Sequence, residues 1–228
     1  MPPAPDAAPP PLPHILVLIS GSGTNLQALI DATRHPASAP ALRASITHVI
    51  SDRKDAYGLQ RARAAHIPTT HHGILPYKAA HPDPSPTPRF AAARRAYDAR
   101  LAELVLRERP ALVVCAGFMR ILTPACLAPL AAAAVPLINL HPALHGDLVG
   151  AGCIGRAWEE FVAGTRARTG VMVHHVVAEV DLGEPVCQRE VEMAGCGSLE
   201  ELEARIHDVE HVLIVEGAAK VLETCCAG

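Results

Sequence analysis

The sequence predicts an α/β fold: a doubly wound, mostly parallel sheet with an antiparallel addition in its C-terminal part. Three observations lead there. Short apolar runs alternate with stretches of helical periodicity through residues 14–134, the pattern of successive strand–helix units. Residues 111–116 form an unbroken apolar run, as expected of a strand covered on both faces. Beyond residue 150, two strand-like stretches follow each other with only a turn between them, a connection available to antiparallel neighbours.

Taken in order, residues 2–13 hold seven prolines in twelve positions and read as an extended or disordered arm, residues 1–13. A single domain is expected over 14–224. Residues 14–19 form a short apolar strand that runs directly into Gly21-Ser22-Gly23 and a helix beginning near Thr24. Residues 44–50 read as a second strand, 56–65 as a helix with Arg and Gln on its wet face, and 67–70 as a third strand. The four prolines of 81–88 mark a loop insertion. Tyr97, Leu101, Leu104 and Val105 recur at helical spacing within 90–107. The buried strand 111–116 follows, then a helix over 124–134. Residues 154–162 read as a helix, and 170–179 with 185–192 as the antiparallel pair around a turn at 181–183. Residues 199–222 close the chain as a long helix. Ser198 is its expected N-cap, and Glu200 and Glu201 complement the positive end of its dipole.

Composition narrows the function classes. Half of the 228 residues are hydrophobic but only 3% aromatic, so a sizeable core is built from aliphatic side chains. A net charge of −3 gives no electrostatic footprint for nucleic acid, and no apolar run reaches the length that spans a bilayer. Seven cysteines, an odd number without CxxC spacing, read as small buried hydrophobes of a reducing compartment. The N-terminus lacks the charged and apolar regions of a signal peptide. A cytoplasmic location is expected.

Chemistry concentrates at Leu137-Ile138-Asn139-Leu140-His141-Pro142. Asn139 and His141 are two apart, so on a strand they share one face. Pro142, lacking an N–H, ends the ladder. An amide donor and an imidazole thus meet at the carboxyl end of a strand, where open α/β sheets bind ligands. An amide that steadies an oxyanion beside a base that moves a proton suits acyl transfer. The plain alternative is two polar residues finishing an ordinary strand.

Gly21-Ser22-Gly23-Thr24-Asn25 follows the first strand. Glycines there let backbone N–H groups approach a phosphate at a helix N-terminus. The segment is neither a Walker A loop nor a full dinucleotide fingerprint, which favours a small phosphate ligand over ATP or NAD. A ligand-free tight turn is the alternative. Gly117-Phe118-Met119-Arg120-Ile121-Leu122 offers a wall for a flat heterocycle, or else a simple connection. Asp181, in Asp-Leu-Gly-Glu-Pro, reads by itself as turn chemistry. His207-Asp208-Val209-Glu210-His211 matches the H-x-x-E-H zinc pattern, so a zinc peptidase is a rival from another class, although no third ligand is signalled. His174 and His175 are adjacent on a strand and face opposite sides, so they cannot chelate together.

In that order, the Gly21–Asn25 turn, Met119-Arg120-Ile121-Leu122, Asn139-Leu140-His141-Pro142 and Asp181-Leu182-Gly183-Glu184-Pro185 resemble the phosphoribosylglycinamide formyltransferases, folate-dependent enzymes of purine synthesis. The resemblance runs from about His14 to about Leu222. It implies formyl transfer from the co-substrate 10-formyltetrahydrofolate to the amine of 5'-phosphoribosylglycinamide, with no metal, nucleic acid or membrane partner, by a monomer or weak homodimer. Asn139, His141 and Asp181 would be catalytic, Asp181 orienting His141 and fixing a water. Gly23, Thr24 and Asn25 would hold the substrate's phosphate, and Glu210 its amino end. Arg94, Met119, Arg120, Ile121, Leu122 and Asn139 would contact the folate. Residues 14–135 would then form the phosphate-binding half and 136–224 the catalytic half.

The sequence departs from the family pattern at His145, where a proline is usual, and through 145–153. Two relatives with similar Asn/His/Asp chemistry fit less well. Methionyl-tRNA formyltransferase adds a C-terminal β-domain and a basic surface, and formyltetrahydrofolate hydrolase adds an N-terminal regulatory domain. A folate- or phosphate-binding module without catalysis is the non-enzymatic alternative. The joint presence of Asn139, His141 and Asp181 argues against it.

Overall fold

A computed structural model describes residues 11–35, 40–81 and 91–226. The chain runs β1 (His14–Ile19), α1 (Thr24–Arg34), β2 (Ser45–Ser51), α2 (Tyr57–Ala64), β3 (Thr69–His71), α3 (Leu75–Ala80), α4 (Ala91–Arg107), β4 (Leu112–Cys115), α5 (Pro124–Ala132), β5 (Leu137–His141), α6 (Cys153–Val162), β6 (Arg168–His175), β7 (Pro185–Glu192) and α7 (Leu199–Cys226). The strands form one seven-stranded sheet in the order β3-β2-β1-β4-β5-β6-β7. The first five are parallel, and β5 to β6 and β6 to β7 are antiparallel. Among the described residues no helix is long and apolar enough to cross a membrane.

Period-two alternation sorts the strand residues into two cores. Ile15, Val17 and Ile19 of β1, Leu112 and Val114 of β4, and Ile138 and Leu140 of β5 pack in one layer with residues of α1, α2, α6 and α7. Leu16, Leu18, Val113, Cys115 and Leu137 face the other layer, against Tyr97, Leu101 and Val105 of α4 and Cys126 and Leu130 of α5. Both faces are covered, which is why 111–116 needs no polar position. Asn139 and His141 share the parity of Leu137 and so lie on the α4/α5 face.

Most predicted elements appear within one to three residues of their expected limits. Helix α3 was not expected: its Leu75 is largely exposed, so no apolar periodicity announces it. The strand expected over 170–179 stops at His175, where the chain leaves the sheet toward the Asp181 turn. The loop at 81–88, apart from His81, and the arm, apart from 11–13, lie outside the described residues. At the start of α7, Ser198 Oγ accepts the Glu201 N–H (3.3 Å) and Glu201 Oε2 accepts the Gly197 N–H (2.7 Å). This reciprocal capping fixes where the helix begins.

Helix α7 crosses β6 at Gly217. A Cβ there would lie 2.7 Å from Cγ1 of Val173, a buried residue held between Leu140 of β5 and Cys187 of β7. Ala favours a helix over Gly by about 1 kcal/mol, but overpacking a fixed neighbour costs about 1–3 kcal/mol. Gly217→Ala is therefore expected to lower the urea midpoint at unchanged m-value. A raised midpoint would mean that α7 moves off the sheet without cost.

Candidate active site

In the order β3-β2-β1-β4-β5, the chain works outward from β1 to β3 and then returns to β4. The switch point therefore lies between β1 and β4, where a crevice opens at the carboxyl edge of the sheet. Two hydrogen bonds tie that edge together: Ser20 N–H to Gly117 O (3.0 Å) and Met119 N–H to Ser20 Oγ (2.8 Å). They join the two turns singled out in the sequence.

A cavity of about 340 Å³ opens beside this edge, within the range of small-molecule sites. It is lined by Met119, Arg120, Ile121 and Leu122, by Asn139 and His141, and by Asp181. Three segments distant in sequence thus meet in one place. Met119 and Ile121 are exposed while Leu122 is buried, so the segment presents an apolar rim to an entering ring.

At the floor, His141 is nearly fully buried. Its Nδ1 lies 3.4 Å from Asp181 Oδ2, and its Nε2 donates to Leu148 O at 2.8 Å. Both ring nitrogens face acceptor oxygens, an arrangement that only the imidazolium satisfies. The Cys153 thiol is 3.5 Å from the same Nε2. Burial raises the pKa of that thiol, which keeps it protonated and a poor nucleophile.

Asp181 sits at φ +57°, a left-handed conformation that Asp tolerates better than most residues. Its Oδ2 also accepts the Gly150 N–H at 2.9 Å. Burial pushes its pKa up, but the polar groups around it, the Gly150 N–H and the charge of His141 among them, more than offset this, and the carboxyl is held below its ordinary range.

His174 was set aside in the sequence because its neighbour faces the other way. The structure places it in the site. It is 2% exposed, and its Nε2 lies 3.2 Å from Asn139 Nδ2 and 3.5 Å from Asp181 Oδ1. Its signal is the register: β6 runs antiparallel to β5 with His174 directly opposite Asn139. That pairing is not readable from a lone His-His dipeptide.

The glycine-rich turn lies at the N-terminus of α1. Gly23 has φ +72°, and a Cβ on it would fall 2.5 Å from Gly58 Cα. This glycine is therefore demanded by the packing of α1 against α2, apart from any phosphate. The next turn brings in α7: Asn25 Nδ2 donates to Glu210 Oε2 at 3.1 Å, while Asn25 Oδ1 is buried without a partner among the described residues. Burial raises the Glu210 pKa against the opposing pull of Asn25 and nearby histidines. Glu210, within the H-x-x-E-H motif, thus faces Asn25. Among the described residues no group of three or more His, Cys, Asp or Glu side chains is placed to hold a metal.

Arg94 does not line the cavity. Its guanidinium pairs with the buried Asp98 carboxylate at 3.2 Å, and that carboxylate accepts the Thr123 N–H at 2.9 Å. Arg94 thereby steadies the 119–123 segment from behind. Arg120 lines the cavity and forms an ion pair with Asp52 at 2.7 Å. Side chains from both 14–135 and 136–224 meet at each site, since Met119–Leu122 face His141 and Glu210 reaches Asn25.

The lowered pKa of Asp181 has a consequence for stability. A carboxyl with a depressed folded-state pKa stabilises the fold above its ordinary pKa, and that contribution is lost as pH falls through the folded-state value. Asp181→Asn keeps the left-handed preference and removes the charge. The stability difference between wild type and this variant, from urea denaturation, is expected to shrink as pH falls below about 4. A difference that persists unchanged to about pH 2 would contradict the assignment.

Comparison with known proteins identifies the family. A family model described as formyl transferase matches residues 13–217. Phosphoribosylglycinamide formyltransferase of Schizosaccharomyces pombe is 46% identical over 208 residues, covering 91% of this chain and 96% of that protein. The enzyme of the same name from Saccharomyces cerevisiae is 43% identical, covering 92% and 97%. The crystal structure of glycinamide ribonucleotide transformylase 1 from Symbiobacterium toebii superposes with a TM-score of 0.77 at 34% identity, covering 93% of this chain and 89% of that one. The chain belongs to the formyl transferase family, among the phosphoribosylglycinamide formyltransferases.

Proposed function

We propose that this chain transfers the formyl group of 10-formyltetrahydrofolate to the amine of 5'-phosphoribosylglycinamide, a step of purine biosynthesis. The observation that carries the chemistry is the floor of the cavity. There His141, with an acceptor oxygen at each ring nitrogen and Asp181 at 3.4 Å, lies on the same sheet face as the amide of Asn139, beside the Met119–Leu122 wall.

The pteridine enters against Met119, Arg120, Ile121 and Leu122, with Arg94 supporting that segment through Asp98. Thr24 and Asn25, with the backbone of Gly23, hold the phosphoribosyl substrate at the α1 N-terminus, where the helix field favours an anion. Glu210 holds the substrate's amino end. The glycinamide nitrogen attacks the formyl carbon, and the carbonyl π pair moves onto oxygen. His141 Nε2–H exchanges Leu148 O for that oxyanion, and Asn139 donates a second hydrogen bond. Asp181, through water, takes the proton lost by the amine. Collapse of the tetrahedral intermediate re-forms the formyl carbonyl and expels the folate nitrogen, which takes up the amine proton that Asp181 returns through the same water. In this scheme the chain's residues form no covalent intermediate, and no step uses a metal.

The test is a formyl-transfer assay with purified protein, 5'-phosphoribosylglycinamide and 10-formyltetrahydrofolate. His141→Ala is expected to lower kcat by at least about 100-fold, because it removes acid and oxyanion contributions together, and Asn139→Ala should act alike. Turnover near wild type in either folded variant would reduce these residues to strand-end roles.

The two ligands are expected to separate by half-site. Gly23 is a poor probe because its substitution disturbs the α1–α2 contact, so Asn25→Ala and Ile121→Asp are the informative variants. In calorimetric titrations, Asn25→Ala should weaken phosphoribosylglycinamide binding and leave folate binding nearly unchanged. Ile121→Asp should do the reverse. The opposite pattern would overturn the assignment of the two half-sites.

A further inference from the structure

Resting on the formyl-transfer reading above, we infer that His174 is a positioning residue: its neutral ring accepts a hydrogen bond from Asn139 and so fixes which edge of the Asn139 amide faces the catalytic groups. The family resemblance gave His174 no role.

An Asn side chain is nearly symmetric in shape but opposite in chemistry at its two ends. Packing alone therefore does not choose between its rotamers, and a neighbour must. Here the neighbour is His174. Its Nδ1 lies 3.0 Å from the carbonyl oxygen of His175. A carbonyl only accepts, so Nδ1 carries the proton. In a neutral ring Nε2 is then an acceptor. The group 3.2 Å away, Asn139 Nδ2, is a donor, and the match fixes the amide with nitrogen toward His174.

Charge counting makes the neutral ring the consistent one. Asp181 faces both His141 and His174 and supplies one negative charge for two rings. The rings meet edge-on with centroids 6.4 Å apart. His141 has acceptors at both nitrogens and holds the charge. A second buried cation so near would have to share that one carboxylate. The neutral ring also explains the longer separation of His174 Nε2 from Asp181 Oδ1, 3.5 Å, since two acceptors gain nothing by approaching.

Two features hold His174 in place. It faces Asn139 across the antiparallel β5–β6 ladder, so the register sets its distance. Gly183 lies so close to the His175 carbonyl that a Cβ there would overlap that oxygen. The carbonyl that selects the tautomer is therefore itself held by the Asp181 turn. With one Nδ2 hydrogen engaged by His174, the other remains for the formyl oxygen. Without His174 the amide turns freely, and its oxygen spends part of the time where a donor is needed.

The experiment is a double-mutant cycle in the formyl-transfer assay, with thermal unfolding to confirm that each variant is folded. His174→Leu is expected to lower kcat by at least about tenfold, less than the loss on removing the Asn139 donor outright. KM for both substrates should stay within about a factor of three. His174→Gln, whose amide oxygen reaches the Nε2 position, should recover most of the loss. His174→Asn, too short to reach Asn139, should not, and it substitutes for the Leu variant if that one does not fold. In the Asn139→Ala background, replacing His174 should cost less than about twofold further, because the group it positions is gone. An equal loss in both backgrounds, or no loss in the wild-type background, would overturn the role of His174 while leaving the function intact. Absence of turnover in the parent enzyme would overturn both.

Discussion

One carboxylate facing two imidazoles organises this site. Asp181 reaches His141 with one oxygen and His174 with the other, and it also accepts the Gly150 N–H. The carboxylate thereby links three separate pieces of chain: the end of β5, the strand β6 and the 144–152 segment. In a buried setting such a charge is tolerated only when paired and hydrogen-bonded. The end of β5 and the 144–152 segment are consequently held together by the cost of leaving Asp181 unpaired, with β6 packed beside them. The left-handed backbone at Asp181 is part of the same constraint, since it turns the carboxylate back under the sheet edge instead of out to water.

The sheet makes this convergence possible by changing direction once. Five parallel strands deliver their carboxyl ends to one edge, which gathers the Gly21–Asn25 turn, the Met119–Leu122 segment and Asn139 with His141. Had β6 continued the parallel pattern, a crossover helix would have separated it from β5. Running antiparallel, β6 brings His174 opposite Asn139 and leads into the Asp181 turn on the same edge. The long helix α7 then packs back over β6, β7 and α1, and its Glu210 meets Asn25 at the far side of the site. The last element of the chain thus completes a site that the first two elements begin.

Close contacts at three glycines keep these pieces in register. Gly23 against Gly58, Gly217 against Val173 and Gly183 against the His175 carbonyl each leave no room for a Cβ. They set the distances of α1 from α2, of α7 from β6 and of the Asp181 turn from β6. Those are the three joints on which the placement of Asn25, Glu210 and Asp181 depends. Interiors packed at this density transmit a displacement of a few tenths of an ångström to the groups beyond.

The alternation of strands and helices is legible in the residues alone, because periods of 2 and 3.6 in the apolar residues report directly which faces are covered. That Asn139 and His141 share a face is legible there too, since it depends on strand parity alone. The antiparallel addition followed from the short 181–183 connection. Tertiary structure decided what depends on contacts between distant segments. The pairing of His174 with Asn139 depends on inter-strand register, which no local pattern encodes. The meeting of Glu210 with Asn25 depends on where α7 docks, and the H-x-x-E-H spacing pointed elsewhere. That Arg94 pairs with Asp98, whose carboxylate is buried and accepts the Thr123 N–H, also depends on contacts that no local pattern shows. Gly23 looked like a phosphate-binding glycine, and the fold supplies a second reason for it in Gly58. Helix α3 carries no buried apolar face of its own, so only its neighbours reveal it.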